Sequence, residues 1–239
     1  INLINIMETT STPFIRTDID DWYLVSQNIP DITKPIPVIA CIGTSRDGKS
    51  TLLNLYTNWL LQNNIDKSHE PFTTGQSDDM ITNGIDYYEI LDKCILIDCQ
   101  GMQLENAKYD HYITLITYLI SDIMILTVRQ RLDLQVLNNL LSVFSFLSEI
   151  PIEHRRKDKP KLIIRIKDFQ NIQQLKKDVN YFDNLINKWL TKSNDQYDRI
   201  KEVFSLTFDI HAIYTLPPNY DNEDNILDIY SNTFSEKNT

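Results

Sequence analysis

Residues Val38 to Leu55 read VIACIGTSRDGKSTLLNL. An apolar run, a loop with two glycines and a second apolar run follow one another, so the stretch predicts a strand, a loop and a helix. From Gly43 to Ser50 the loop fits G-x-x-x-x-G-K-[ST], a pattern that binds phosphate when it joins a strand to a helix. The pattern alone also arises by chance on structural turns, but its position between a strand and a helix favours the functional interpretation.

Each residue type in this loop has a task in binding phosphate. Gly43 and Gly48 let successive backbone N–H groups turn inward toward phosphate oxygens, at the positive end of the following helix. Lys49 would neutralise the β- and γ-phosphates, and the Ser50 hydroxyl would ligate Mg²⁺. The predicted nucleotide-binding residues of the loop are Gly43, Thr44, Ser45, Arg46, Asp47, Gly48, Lys49, Ser50 and Thr51.

The composition limits the classes of function. The chain has 239 residues, enough for one large domain or two small ones, and a net charge of −10. Because an acidic chain lacks the basic surface of a nucleic-acid binder, we expect no nucleic-acid partner. The cysteines Cys41, Cys94 and Cys99 show no zinc spacing, and no stretch has the apolar length of a membrane span, so we expect a reduced, cytoplasmic protein. Since the chain begins at Ile1 and not at Met, we expect a fragment of a longer protein.

Strand-like and helical patterns alternate along the chain. They predict an α/β P-loop NTPase fold with a mostly parallel central sheet, helices on both faces and one antiparallel hairpin strand. The predicted elements after the first core strand are a helix over 49–63, hairpin strands over 84–91 and 93–98, a helix over 103–120, a strand over 123–128, a helix over 132–147, a strand over 162–166, helical regions over 172–190 and 196–204, and a strand over 211–216.

Three segments are expected along the chain. Residues 1–35 are interpreted as an N-terminal extension and linker, with irregular structure and a short helix around Asp20 to Gln27. Residues 36–218 are the predicted P-loop domain. Residues 219–239 form an acidic, Asn-rich tail, which we interpret as the start of a further helical domain.

A second motif closes the apolar strand that precedes it. Asp98-Cys99-Gln100-Gly101 fits D-x-x-G. The Asp98 carboxylate would hold Mg²⁺, and the Gly101 amide would meet the γ-phosphate, so that hydrolysis would release the following loop. An aspartate and a glycine at a strand end are often only a turn, but their position after a phosphate-loop lysine favours the functional interpretation.

Thr82 is the candidate for a further Mg²⁺ and γ-phosphate contact. It precedes Asn83-Gly84 at the start of the predicted hairpin, in the region where GTPases keep their first switch segment. Thr73 and Thr74 are rival candidates, and a simple Thr-Asn-Gly turn is the structural alternative.

A candidate base-reading motif follows another apolar strand. Arg165-Ile166-Lys167-Asp168 ends that strand, and Lys167 and Asp168 are the predicted base contacts. A carboxylate only accepts hydrogen bonds, so it suits the two N–H donors of guanine and opposes the adenine edge. A surface helix cap is the alternative interpretation of this short motif.

Together these motifs resemble those of the guanylate-binding proteins and atlastins, the large dynamin-like GTPases. The resemblance covers most of residues 36–218. The matching segments, in order, are the loop over 43–50 with its Arg46, Thr82-Asn83-Gly84-Ile85, Asp98 to Gly101, Ser121 to Leu140, Lys167-Asp168-Phe169 and, more loosely, His211 to Pro218.

The resemblance implies Mg²⁺-dependent hydrolysis of GTP to GDP and phosphate by a nucleotide-dependent homodimer that pairs across the nucleotide face. Arg46 would then be an internal arginine finger. Membrane or effector contacts would be made through domains outside this chain. The implied catalytic residues are Arg46, Lys49, Thr82 and Gln100. The implied Mg²⁺ ligands are Ser50, Thr82 and Asp98.

Three positions depart from the family pattern, and two other functions stay open. Gln100 replaces a usual Glu, Lys167 a usual Arg, and Met80 a serine that helps to position the attacking water. Met80 cannot hydrogen-bond water, so the chain is alternatively a GTP-dependent interaction module with little hydrolysis. A P-loop ATPase or kinase with a coincidental Lys-Asp is the other alternative.

Overall fold

The structure is a computed structural model, which describes a central β-sheet and the segments that border it. The described residues are 10–17, 22–25, 28, 35–61, 69–75, 82, 84–90, 93–102, 107–130, 151, 153, 157–169, 184, 198, 202–203 and 207–215. Within these ranges the elements, in chain order, are β1 (Thr12–Thr17), β2 (Trp22–Leu24), β3 (Val38–Gly43), α1 (Lys49–Leu61), β4 (Ile85–Ile90), β5 (Cys94–Cys99), α2 (Ala107–Ile120), β6 (Ile123–Arg129), β7 (Lys161–Lys167) and β8 (Asp209–Thr215).

All of these strands belong to one mixed sheet. Their order across the sheet is β2-β1-β4-β5-β3-β6-β7-β8. The strands from β5 to β8 in this order run parallel, whereas β4, β1 and β2 are joined by antiparallel pairs. The carboxyl ends of the parallel strands therefore meet at one edge, which is where α/β folds bind ligands.

The parallel strands are apolar on both faces because a helix covers each face. Ile39 and Cys41 of β3 face α1 and pack with Leu53. Ala40 of β3 faces the other way and shares a core with Ile113 of α2. The predicted α/β fold, with a mostly parallel sheet and helices on both faces, is confirmed. Neither described helix is long and apolar enough to cross a bilayer.

The predicted hairpin is also present, as β4 and β5. They pair antiparallel from Ile85 opposite Cys99 to Ile90 opposite Cys94. The predicted helices over 132–147, 172–190 and 196–204 lie almost wholly outside the described residues.

The expectation for the first 35 residues was wrong in two places. Residues 12–17 and 22–24 are strands, where the sequence suggested irregular structure and a short helix. The β1 strand pairs with β4 through a register shift between Pro13 and Ile15, because proline has no N–H to give to a regular ladder. Ile15 is nevertheless buried in the same core as α2. The amino-terminal segment thus extends the sheet on the side of β4.

Candidate nucleotide-binding site

The loop after β3 turns where only glycine fits. Gly43 has a φ of 147°, and a Cβ there would lie 2.3 Å from the Thr127 backbone oxygen on the neighbouring strand β6. Real Cβ atoms do not approach backbone that closely. The parallel pairing of β3 with β6 therefore requires a glycine at the first position of the phosphate-loop pattern.

The loop is held together by its own side chains. The Asp47 carboxylate accepts hydrogen bonds from both the backbone N–H and the hydroxyl of Thr44. Lys49 is buried as a residue, and its ammonium donates to the Thr44 carbonyl at 2.9 Å. Burial raises the pKa of Asp47, although the hydrogen bonds from Thr44 and the charge of Lys49 act in the opposite direction. The lysine ammonium is therefore held against the backbone of the loop that Asp47 closes.

Two further loop residues have left-handed backbone. Gly48 has a φ of 74°, and a Cβ there would meet no atom closer than 3.5 Å, so its backbone angle alone requires glycine. Arg46 has a φ of 66°, which is uncommon for a residue with a side chain, and it is exposed at the tip of the loop. Ser45 is half-buried, whereas Thr51 is exposed in the first turn of α1.

The three predicted Mg²⁺ ligands lie together, with two hydroxyls at one carboxylate. The Ser50 hydroxyl donates to Asp98 Oδ2 at 2.7 Å, and the Thr82 hydroxyl donates to the same oxygen at 2.8 Å. The rival candidates Thr73 and Thr74 are exposed. Ser50 belongs to α1, Thr82 precedes β4 and Asp98 lies near the end of β5, so three separate segments form this cluster.

The other oxygen of Asp98 shows that the cluster fits a hard cation. Asp98 is 1% exposed, and its Oδ1 has no hydrogen-bond partner within the described part of the chain. Burial raises the pKa of Asp98 despite the hydroxyls of Ser50 and Thr82 and the charge of Lys49. A buried carboxylate oxygen without a partner is costly, and a cation with its water would satisfy it. No group of three His, Cys, Asp or Glu residues that would suit another metal occurs in the described ranges.

The D-x-x-G segment lies directly on the phosphate loop. A Cβ on Gly101 would be 2.4 Å from Ser45 Cα, and the Met102 N–H donates to the Gly43 carbonyl at 3.0 Å. Gln100, the remaining residue with a predicted catalytic role, is 7% exposed, and its Oε1 accepts from the Gly84 N–H at 3.1 Å. The segment with Thr82 and Gly84, the D-x-x-G segment and the phosphate loop therefore lie together.

The end of β7 contacts the same loop. Arg165 is 5% exposed and its guanidinium donates to the backbone carbonyls of Asp47 at 3.2 Å and Gly48 at 3.4 Å. The Lys167 ammonium would lie 3.5 Å from a Cβ on Gly48. Asp168 follows with a φ of 56°. The end of β7, with Arg165 and the candidate base contact Lys167, therefore lies beside the phosphate loop.

Asp168 has a partner on the next strand. Arg129, the last residue of β6, donates through Nε to Asp168 Oδ2 at 2.9 Å. The Gln130 N–H donates to the Lys167 carbonyl at 2.6 Å, so the two chain segments that leave β6 and β7 are tied together.

Two residues of this site were missed by sequence reasoning. The strand-end motif assigned no role to Arg165 itself. An arginine within the apolar run LIIRI nevertheless indicates a buried, hydrogen-bonded side chain, since a buried arginine must find acceptors. Arg129 carried no such signal, because its register partner Lys167 is visible only once β6 and β7 are paired. Met80 lies outside the described residues.

The family is identified from the sequence around this site. Residues 38–196, from β3 to beyond β7, match the family described as 50S ribosome-binding GTPase. The chain belongs to this GTPase family. It is therefore a P-loop, GTP-binding domain, which agrees with a mixed α/β sheet that carries a phosphate loop at the carboxyl end of β3.

Solved structures resemble the chain more distantly. Two of them are crystal structures of mutation variants of SsGBP, one with a glycine replaced by serine and one by proline. The first has a TM-score of 0.36 and 14% identity over 84% of this chain and 56% of that chain. The second has a TM-score of 0.36 and 15% identity over 82% and 56%. This chain thus spans just over half the length of those structures. No curated protein matches the sequence.

Proposed function

We propose that this domain binds GTP with Mg²⁺ and hydrolyses it to GDP and phosphate. The observation that carries the proposal is the meeting of the Ser50 and Thr82 hydroxyls at Asp98 Oδ2, at 2.7 and 2.8 Å. P-loop NTPases hold their metal through a loop hydroxyl and a strand-end aspartate. A first-switch threonine beside these two groups is the arrangement that links hydrolysis to movement of that segment.

Ser50, Thr82 and Asp98 are the residues that would hold Mg²⁺. The buried Asp98 Oδ1, which has no hydrogen-bond partner among the described residues, supports this assignment. What Mg²⁺ supplies when bound is neutralisation of the charge on the β- and γ-phosphate oxygens. Lys49 supplies a second positive charge at the same phosphates, and the loop amides from Gly43 onward donate hydrogen bonds to them.

Asp168 is the group that we propose reads the base. Its carboxylate suits the N1–H and N2–H donors of guanine and is unsatisfied by adenine, which presents a lone pair there. A site of this kind rejects the wrong base because its buried polar group is left without a partner. The hydrogen bond from Arg165 to the Gly48 carbonyl supports the proposal, because it links the strand before Asp168 to the phosphate loop.

Arg46 is the proposed arginine finger. It is exposed at the loop tip with a left-handed backbone, a conformation that costs free energy unless the surrounding loop holds it. We propose that two domains pair across the nucleotide face and that Arg46 then stabilises the charge on the transferring phosphoryl group. The resemblance of the sequence motifs supports this dimer and the assignment to the guanylate-binding protein and atlastin group.

A GTP-dependent interaction module with little turnover is the second candidate. The observation in its favour is that the Gln100 carboxamide is engaged with Gly84, at the position where the resembled family usually has a glutamate. The family description names ribosome binding, but the net charge of −10 gives this chain little attraction for RNA, so we propose no ribosomal partner.

The test is competition of GTP, ATP and xanthosine triphosphate against a fluorescent GTP analogue in the presence of Mg²⁺. Wild type should prefer GTP strongly. Asp168→Asn should shift the preference toward xanthosine triphosphate, because an amide offers a donor to the extra base oxygen. Equal competition by ATP would contradict base reading by Asp168. Loss of binding in Lys49→Ala, together with single-turnover hydrolysis well above the uncatalysed rate in wild type, would support the enzyme over the interaction module.

A further inference from the structure

Gly84 is in close contact with the amino-terminal strand. It has a φ of 101°, and a Cβ there would lie 2.0 Å from the Ile15 carbonyl oxygen and 3.0 Å from Arg16 Cα. The backbone of β1 thus lies directly against Gly84, two residues after the predicted first-switch residue Thr82. Only a glycine allows this approach.

Gln100 holds Gly84 from the other side. The Gly84 N–H donates to Gln100 Oε1 at 3.1 Å, and the Gln100 N–H donates to the Gly84 carbonyl at 2.7 Å. One residue of the D-x-x-G segment therefore satisfies both backbone polar groups of Gly84. Gln100 is buried, so loss of its carboxamide would leave the Gly84 N–H without its acceptor away from water.

An ion pair fixes β1 beside this contact. Arg16 of β1 contacts Asp86, two residues after Gly84, and both side chains are mostly buried. Asp86 is the register partner of Asp98 across β4 and β5. The contacts that hold Gly84 therefore lie next to the carboxylate on which the Thr82 hydroxyl converges.

We propose that Gln100 is a positioning residue. Together with β1 it fixes the position of Gly84 and thereby keeps the Thr82 hydroxyl at Asp98. Thr82 lies only two residues before Gly84, so a fixed Gly84 limits the distance that Thr82 can move. The amino-terminal strand is thereby part of the nucleotide site and not an appendage to it. The role of Thr82 in binding Mg²⁺ rests on the function proposed above, whereas the fixing of Gly84 by Gln100 and β1 does not.

The first experiment measures amide hydrogen exchange in the nucleotide-free protein. Gln100→Met keeps the size of the side chain and removes the acceptor, so the Gly84 amide should exchange about tenfold faster, as expected for the loss of one buried hydrogen bond. Amides of β3 and β7 should change less than about twofold, because a local opening does not spread to distant core strands. Gln100→Glu keeps an acceptor and should restore slow exchange. Unchanged exchange at Gly84 in Gln100→Met would overturn the proposal.

The second experiment separates positioning from a general loss of structure. The affinity for a fluorescent GTP analogue is measured with Mg²⁺ and with a chelator present. Gln100→Met should weaken binding about fivefold or more with Mg²⁺ and less than about twofold without it, since only the metal-dependent part uses Thr82. Arg16→Gln, which loosens β1 without touching Gln100, should show the same asymmetry. Equal weakening under both conditions would overturn the positioning role.

The two experiments also distinguish this proposal from the proposed function. If wild type bound no nucleotide under either condition, the proposed binding and hydrolysis of GTP would be wrong for this chain. The exchange of the Gly84 amide would still show whether Gln100 and β1 hold that residue.

Discussion

Arg129 ends β6, Asp168 directly follows the neighbouring parallel strand β7, and an ion pair joins them, with Arg129 Nε 2.9 Å from Asp168 Oδ2. The arginine is 61% exposed and the aspartate 21%. Guanine would need both carboxylate oxygens of Asp168, one for each of its two N–H donors. On the proposed role of Asp168, the base and Arg129 would therefore compete for Oδ2.

Removal of the Arg129 side chain should increase the preference of the site for GTP over ATP. Arg129→Ala is expected to raise the ratio of GTP to ATP affinity by up to about fivefold, since an exposed ion pair contributes roughly 0.2–1 kcal/mol. The ratio is the useful quantity because the charge of Arg129 attracts the phosphates of both nucleotides equally. Arg129→Lys keeps the charge and should change the ratio less. A ratio that fell in Arg129→Ala would mean that Arg129 orients Asp168 for the base.

Arg165 should affect both nucleotides alike. Its buried guanidinium donates to the Asp47 and Gly48 carbonyls, so Arg165→Met removes charged hydrogen bonds that shape the phosphate loop. We expect GTP and ATP affinity to fall together by about tenfold or more, as hydrogen bonds to charged groups contribute about 1.5–3 kcal/mol. Lys161→Met, at the exposed start of the same strand, is the control and should leave affinity unchanged. A loss confined to GTP would place Arg165 at the base instead.

The sequence predicted the elements whose signals are local. The phosphate loop, the β4–β5 hairpin and the strand-end positions of Asp98 and Asp168 follow from patterns a few residues long. The contacts that join them do not, because Arg165 and Asp47 lie 118 positions apart. Their proximity depends on the order of strands in the sheet.

The amino-terminal strands were missed for a different reason. Proline at position 13 argues against a regular strand, and β2 has only three residues, too few to show an alternating pattern. The bulge that accommodates β1 is a property of its partner β4 as much as of its own sequence. The contact of Ile15 with Gly84 consequently appeared only in the structure.

Arg46 should act on turnover and not on binding. It is exposed at the loop tip, where a partner domain has access to it. Arg46→Ala is expected to leave GTP affinity within about threefold of wild type and to lower turnover by about 10³-fold or more, the lower end of the effect of an arginine finger. Wild-type turnover per domain should also rise with protein concentration. Arg46→Lys, which keeps the charge but lacks the planar fork, should recover little of the rate.

Two experimental results would contradict these expectations for Arg46. An unchanged rate in Arg46→Ala would exclude the finger. A rate that does not depend on protein concentration in wild type, but is lost in the variant, would mean that Arg46 acts within its own domain.

Asp47 should make the domain less stable as the pH rises. Burial raises the pKa of its carboxyl above the ordinary range, so the folded protein keeps this proton to higher pH than the unfolded chain does. The folded state is therefore favoured at low pH, and stability falls as the pH rises from about 4 until the raised pKa is passed. Asp47→Asn keeps an acceptor for the Thr44 N–H and hydroxyl without the charge.

The variant should consequently melt at a higher temperature than wild type at pH 7, because it has no carboxylate charge to bury in the folded state. The difference should shrink as the pH is lowered toward 4. Thermal unfolding of both proteins between pH 4 and 8 measures it directly, and the other titrating groups cancel because both chains share them. Asp47→Ala removes the acceptor as well and should melt below Asp47→Asn at every pH. A constant difference across the range would show that the Asp47 carboxyl does not titrate with a raised pKa in the folded domain.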